Sequence, residues 1–394
     1  MIRHIIKLIW NRKRSLAWIF AEQTLVFGVL LLVFTSQVDR FTRYHSKGTI
    51  NMNNIAVIGL LELDKPQQRA EEETMTQFLS MVERIKEWPS VELVSINRSG
   101  GSPGMGNSRR DSISFNGRRF SVNLRFCDEN FFRMFSPKLT EGQWFRYSEA
   151  FDEIAPAIVT QLLADRIGLT GSAIGQNIYL DGRTYRITGV VEAFKDRASY
   201  EQLATMFVPA SIDVDRGWEV VVKYKSGQGD VFAKAFMAEF YKNFSGDRFQ
   251  PFMMDFTKAM VQMNFMEYSF HIYILLIPAM FLLIFAFMGT FGLVWVQSKR
   301  RMSEFGLRMA MGCTPARLIR SIIFENLILT AFAMLPGLIV MANLFAFAPK
   351  GWEWIAAVCA AIVIMFLFAA VSAWYPAWKA ARVQPVEALR GIMS

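Results

Sequence analysis

With 394 residues, 53% of them apolar, and a formal charge of +9, the chain is apolar and basic at once. That charge is not a nucleic-acid footprint, because residues 38–269 hold 28 Lys/Arg against 29 Asp/Glu and the excess lies outside them, beside apolar runs. Four such runs, at 16–36, 270–296, 322–347 and 354–374, each reach the roughly 20 residues that cross a bilayer, which excludes an ordinary water-soluble domain.

In chain order, residues 1–15 come first. Ile2, Ile5, Ile6 and Ile9 recur at helical spacing while Arg3, Lys7 and Arg14 stay polar, the pattern of a basic amphipathic helix lying on the inner leaflet; a basic topogenic tail is the alternative. The first span follows at 16–36. Its apolar core is too long for a signal-peptide h-region of about 7–15 residues and no A-x-A-like site follows, so it is expected to stay as an anchor.

The segment 37–269 reads as one large mixed domain. Residues 54–62 suit a strand, 67–88 a helix with Met75, Phe78, Leu79, Val82 and Ile85 on one face, and 91–97 a second strand. Paired strands at 111–115 and 119–126 flank Asn116-Gly117, and those at 177–180 and 185–192 flank Asp181-Gly182, both pairs suited to tight hairpin turns. Further strands are expected at 156–160, 218–224 and 249–254, with a helix at 230–244.

Spans two to four, at 270–296, 322–347 and 354–374, are separated by a basic loop at 297–321 and a short hairpin at 348–353, and 375–394 forms a tail. Residues 1–15 hold five Lys/Arg and no acid; 297–320 hold Lys299, Arg300, Arg301, Arg308, Arg317 and Arg320 against Glu304; the tail holds Lys379, Arg382 and Arg390 against Glu387. By the positive-inside rule these three segments face the cytoplasm and 37–269 lies outside. Trp295, Trp352, Trp354, Trp374, Tyr375 and Trp378 mark span ends. Cys127, Cys313 and Cys359 then occupy three different environments, so no intrachain disulfide is expected.

The residues offer no catalytic constellation. Residues 101–108 carry phosphate-loop glycine spacing, but Asn107 stands where the loop needs Lys. His4, His45 and His271 are scattered, so neither a metal site nor a Ser/His/Asp triad is expected, and Glu71–Glu73 and Asp152-Glu153 suit solvated faces. Within the spans Glu22 and Glu325 are weighed as functional acids; lying one to two turns from the inner end, they are read as partly hydrated structural groups that orient the helices.

Two motifs carry a family resemblance. Residues 300–325, through Arg300, Arg301, Glu304, Gly306, Leu307, Arg308, Gly312, Phe324 and Glu325, and the ending through Pro376, Ala381, Pro385, Val386, Glu387, Ala388, Leu389 and Arg390, resemble FtsX/MacB-type ABC transporter permeases. Residues 122–191, with Phe131, Phe132, Gly142, Gly175, Asp181, Gly182 and Gly189, resemble the MacB-type periplasmic core domain. The resemblance implies a membrane protein with an α-helical four-span transmembrane domain and a large α+β periplasmic domain between spans one and two. That domain would comprise a porter-like part, 54–97 with about 205–265, and a distal sabre-like part at about 110–200.

It implies a non-catalytic permease of the inner membrane, working by mechanotransmission. Arg300, Arg301, Glu304, Phe305, Leu307, Arg308 and Met309 would couple to the ATPase, the basic face and the apolar side chains both being offered to it. Pro376, Lys379, Arg382, Pro385, Glu387 and Arg390 would form the second, C-terminal cytoplasmic motif. Glu304 and Arg308, four apart, are placed to pair along the helix. With no Lys-bearing phosphate loop in the chain, ATP and Mg belong to a separate ATPase subunit, and no cofactor or metal is expected here. The other partners implied are membrane lipid, a second identical or paralogous permease and, for efflux, a periplasmic adaptor and an outer-membrane channel; nucleic acid is not among them. Efflux of peptides, antibiotics or similar molecules is the leading reading. A lipoprotein-releasing permease of the LolC/LolE kind and an FtsX-like regulator of a cell-wall hydrolase are the alternatives.

Overall fold

The computed structural model describes residues 13–48, 50–63, 72–98, 100–104, 109–169, 171–197, 200–210, 218–347 and 351–382. The expected amphipathic helix at 1–15 falls almost wholly outside them, as do half of the 348–353 hairpin and the tail beyond Arg382. In chain order the elements are α1 (Lys13–His45), β1 (Ile55–Glu62), α2 (Glu72–Ile85), β2 (Val91–Arg98), β3 (Arg109–Phe115), β4 (Arg118–Cys127), α3 (Asn130–Phe135), β5 (Leu139–Gly142), β6 (Ala155–Thr160), α4 (Gln161–Arg166) and β7 (Asn177–Leu180). There follow β8 (Arg183–Val191), β9 (Thr205–Pro209), β10 (Trp218–Tyr224), α5 (Gly229–Asn243), β11 (Phe249–Asp255), α6 (Phe256–Arg300), α7 (Met302–Ala310), α8 (Pro315–Phe347) and α9 (Trp352–Ala380). They divide into a helical unit, Met1–Thr42 with Tyr268–Ser394, and a β-rich unit, Arg43–Glu267.

Among the described residues the β-rich unit holds two sheets. One has four antiparallel strands in the order β11-β1-β10-β2. Helices α2 and α5 cover one of its faces because both are apolar at helical spacing: Phe78, Val82 and Ile85 from one and Phe232, Phe236 and Phe240 from the other meet Ala56, Ile58, Val94, Val220 and Val222. Phe232 and Phe236 stack with centroids 6.3 Å apart, and Phe240 lies tilted against Phe236 at 6.0 Å.

The second sheet runs β5-β8-β6-β9-β4-β3-β7. Because β7 also pairs along β8 and meets β3 at Ser114–Tyr179, six of its strands close into a ring around Ile113, Val122, Leu124, Ala157, Val159, Ile178, Ile187 and Met206. Its two hairpins turn at Asn116-Gly117, φ 47° and 74°, and at Asp181-Gly182, φ 49° and 79°. Both central residues are left-handed in each case, the geometry that makes Asn-Gly and Asp-Gly the preferred pairs. A further apolar cluster, with Ile55, Val57 and Val221 from the four-stranded sheet, Phe207 from the distal sheet, Phe131 and Phe135 from α3 and Phe194 from the segment after β8, packs between the two sheets.

The division of this domain at about residue 205 needs correcting. β9 pairs in parallel with β4 and antiparallel with β6, so residues 205–209 belong to the distal sheet, and the return to the four-stranded sheet comes with β10.

Among the described residues, four helices are long and apolar enough to cross a membrane: Ala17–His45, Phe256–Arg300, Pro315–Leu344 and Trp352–Ala380. The first and second run well past the apolar cores at 16–36 and 270–296. Lipid offers helices no hydrophobic incentive to associate, so close contact rests on small residues and internal hydrogen bonds. Ala361, Ala369, Ala373 and Ala377 are fully buried along α9, and a Cβ on Gly337 of α8 would stand 2.9 Å from the Phe27 ring of α1. Asn326 donates to the Ala369 carbonyl at 2.7 Å, and Thr24 to the Ala333 carbonyl at 2.8 Å. The Glu22 carboxylate lies over Gly289 of α6, where any Cβ would meet it at 2.7 Å.

Candidate coupling site

The basic segment at 297–321 is a built structure. α6 ends at Arg300, and Arg301, with φ −104° and ψ 12°, turns the chain into α7. α7 ends in a Schellman motif: the Gly312 N–H bonds the Met309 carbonyl and the Cys313 N–H bonds the Arg308 carbonyl. Gly312 takes φ +93°, a conformation that glycine adopts without steric cost. Pro315 then occupies the first turn of α8, where its missing N–H costs nothing.

α7 is fastened from within. Phe305 is buried against Val294 of α6, Leu318 and Ile322 of α8, and Ala373, Ala377 and Ala380 of α9. The Arg301 side chain is only 9% exposed, and its guanidinium bonds Glu304 (Nε to Oε2, 2.9 Å) and Glu325 of α8 (Nη1 to Oε2, 2.6 Å) while resting 5.2 Å from the Phe305 ring centre. Burial by itself lowers the pKa of this guanidinium, but the hydrogen bonds and charges of Glu304 and Glu325 outweigh it and leave the group firmly charged. Glu304 also accepts from Arg308 at 2.5 Å, the i, i+4 pair expected from the spacing.

These positions correct the expectation that the whole segment is offered outward. Arg301 and Phe305 face inward, because a pairing carboxylate and an alanine-lined slot await them. Met309 is half-buried on the same cluster. Arg300, Leu307 and Met311 are exposed, and beside them an open groove of about 540 Å³ is lined by Arg308, Cys313, Arg317, Leu318, Arg320, Ser321 and Phe324. Arg317 and Arg320 were missed as groove residues, although their i, i+3 spacing at a helix start is visible in the sequence.

Of the C-terminal motif, Pro385, Glu387 and Arg390 lie outside the described residues. Pro376 is buried within α9, so it packs and is not a contact residue. Lys379 sits 4.6 Å from the Trp295 ring centre, on which Lys299 also rests at 5.6 Å and Tyr375 stacks at 6.1 Å; Arg382 covers Trp378 at 3.9 Å. Among the described residues no group of three or more His, Cys, Asp or Glu could hold a metal ion.

Two family models match the chain: the MacB-like periplasmic core domain over residues 24–234 and the FtsX-like permease C-terminal region over 275–385. The chain belongs to the MacB/FtsX family of ABC transporter permeases. As such it is an inner-membrane protein with an extracytoplasmic domain. Among its relatives, the macrolide export ATP-binding/permease protein MacB of Syntrophobacter fumaroxidans is 30% identical over 122 residues, covering 30% of this chain and 17% of that one. The uncharacterized ABC transporter permease YknZ of Bacillus subtilis is 22% identical over 274 residues, 67% of this chain and 68% of the relative. Among solved structures, the periplasmic region of MacB from Actinobacillus actinomycetemcomitans aligns with a TM-score of 0.41 at 14% identity, covering 54% of this chain and 94% of that one.

Proposed function

We propose that this permease converts ATP-driven closure of an ATPase lying outside these 394 residues into movement of its β-rich unit, and that it serves efflux from the periplasm. α7 carries the reading. It is a two-turn helix braced through Arg301 to Glu325 and through Phe305 to three neighbouring helices, so a force on its exposed Leu307 and Met311 passes into the bundle instead of bending a loop. Arg317 and Arg320 in the adjoining groove suit an acidic partner surface. The weight of Lys/Arg at this end supports a cytoplasmic position for it. α6, 45 residues long, measures about 67 Å at 1.5 Å per residue and can transmit a displacement along its axis. That MacB relatives bear the name of macrolide exporters supports efflux over lipoprotein release or hydrolase control.

The test is co-purification of the cognate ATPase with Leu307→Glu/Met311→Glu and with Arg317→Glu/Arg320→Glu. Both pairs are expected to cut ATPase capture at least tenfold while the permease still elutes as a folded species. Undiminished capture by both would refute α7 and its groove as the docking site, and ATP hydrolysis by the purified chain alone would refute the external motor.

A further inference from the structure

Within the β-rich unit, six consecutive residues after β8, Glu192 to Arg197, carry an unusual density of charge contacts. Lys195 has no exposed surface, and burial lowers the pKa of its amine from the ordinary 10.5. All three of its donors are used: Nζ bonds the Arg43 carbonyl at 2.7 Å, the Ser46 carbonyl at 2.9 Å and the Ser46 hydroxyl at 3.2 Å. These acceptors belong to the last turn of α1 and the residues just beyond it, at the negative end of the helix dipole. The Lys195 N–H also bonds the Gly48 carbonyl at 3.0 Å, and Gly48, at φ +97°, passes so close that a Cβ would lie 2.9 Å from the Phe194 nitrogen. Glu192 pairs with Lys47, and Arg43 with Glu201 at 2.7 Å.

The neighbouring residues reach the other elements. Asp196 pairs with Arg125 of β4, which is itself fully buried and donates to the Gly101 carbonyl at 2.9 Å. The N–H groups of Gly100 and Ser102 in that loop bond Glu219 of β10 at 2.7 and 2.9 Å, so the line runs from the distal sheet into the four-stranded one. Arg197 lies 3.9 Å from Glu267 of α6. Such a segment is a costly way merely to join two strands, since buried ions rarely add stability over apolar packing and are best attested where they fix one arrangement.

We propose that residues 192–197 are the joint through which the ends of α1 and α6 within the β-rich unit are tied to both sheets, with Lys195 the positioning residue that holds the α1 end. The proposal rests on the reading of the chain as a mechanical coupler. Displacing the last turn of α1 would then carry Lys195, and with it Asp196 and Arg125, so that the distal sheet shifts against the four-stranded one.

The test uses the full chain assembled with its ATPase in lipid nanodiscs, in a Cys313→Ser/Cys359→Ser background with spin labels at Tyr179→Cys on β7 and Tyr241→Cys on α5, both exposed. The probe is a non-hydrolysable ATP analogue with Mg. The parent is expected to change its interlabel distance by several ångströms on adding the analogue. Lys195→Met should lose at least two thirds of that change while keeping ATPase capture and basal hydrolysis within twofold, and Lys195→Arg, which keeps the charge and donors, should recover it. No change in the parent would sink the coupler reading itself. A full change in parent and Lys195→Met alike would overturn the joint alone. If Lys195→Met does not fold, Ser46→Ala, which removes one of the three acceptors, takes its place; it is expected to shrink the change, and an unaltered one overturns the proposal.

Discussion

Replacing Arg301 by Met tests whether its guanidinium braces α7 or is a contact for a partner. The side chain is 9% exposed, and its loss leaves Glu325, 26% exposed, facing apolar helix with its partner gone, whereas Glu304 keeps Arg308. Removing one member of a fully buried pair costs about 3–5 kcal/mol, and exposed pairs are worth about 0–1. Since Glu325 retains a quarter of its surface, Arg301→Met is expected to cost about 2 kcal/mol. In a cycle with Glu325→Gln, the double variant should be less destabilised than the sum of the singles by about 1–2 kcal/mol. Unfolding by SDS in mixed micelles, followed by tryptophan fluorescence, measures all four proteins. A loss below about 0.5 kcal/mol, or singles that add within about 0.3, would refute the brace.

Other outcomes follow from the same geometry. Phe236→Ala empties the middle of the row of three rings against the four-stranded sheet and should cost about 3–5 kcal/mol in thermal unfolding of the β-rich unit, without altering ATPase capture. The buried carboxyl of Glu219 is pushed up from its ordinary 4.5 by desolvation, only partly offset by the N–H groups of Gly100 and Ser102. A folded-state pKa above the unfolded one means the native state binds more protons, so this contribution is full below 4.5 and is lost as the pH rises through the folded value. Stability measured from pH 4 to 8 should therefore shift in favour of the wild type over Glu219→Gln as the pH falls, and parallel curves would refute the assignment.

How much of this was legible in the sequence depended on how local the signal is. The hairpins at Asn116-Gly117 and Asp181-Gly182 could be read because two adjacent residues dictate a left-handed turn. β7 and β10 matched their expected limits since apolar strand residues and turn signals bound them. β9 was not read as a strand, and its residues were grouped with the porter-like part, because its partners, β4 and β6, lie about 45–80 residues earlier and nothing in five residues specifies them. On α7 the helical spacing made the Glu304–Arg308 pair visible. It could not show that Arg301 turns inward, which depends on Glu325, 24 residues on and in another helix.

The strand order has a consequence for how the molecule is made. β1 and β2 take their common ladder partner from β10, which begins 120 residues after β2 ends (218 − 98). At about 5–20 residues per second of synthesis, the first two strands wait roughly 6–24 seconds with open edges. Meanwhile strands β3 to β9 can complete every one of their own pairings, so the distal sheet is the module able to form first and the four-stranded sheet, begun earlier, closes last.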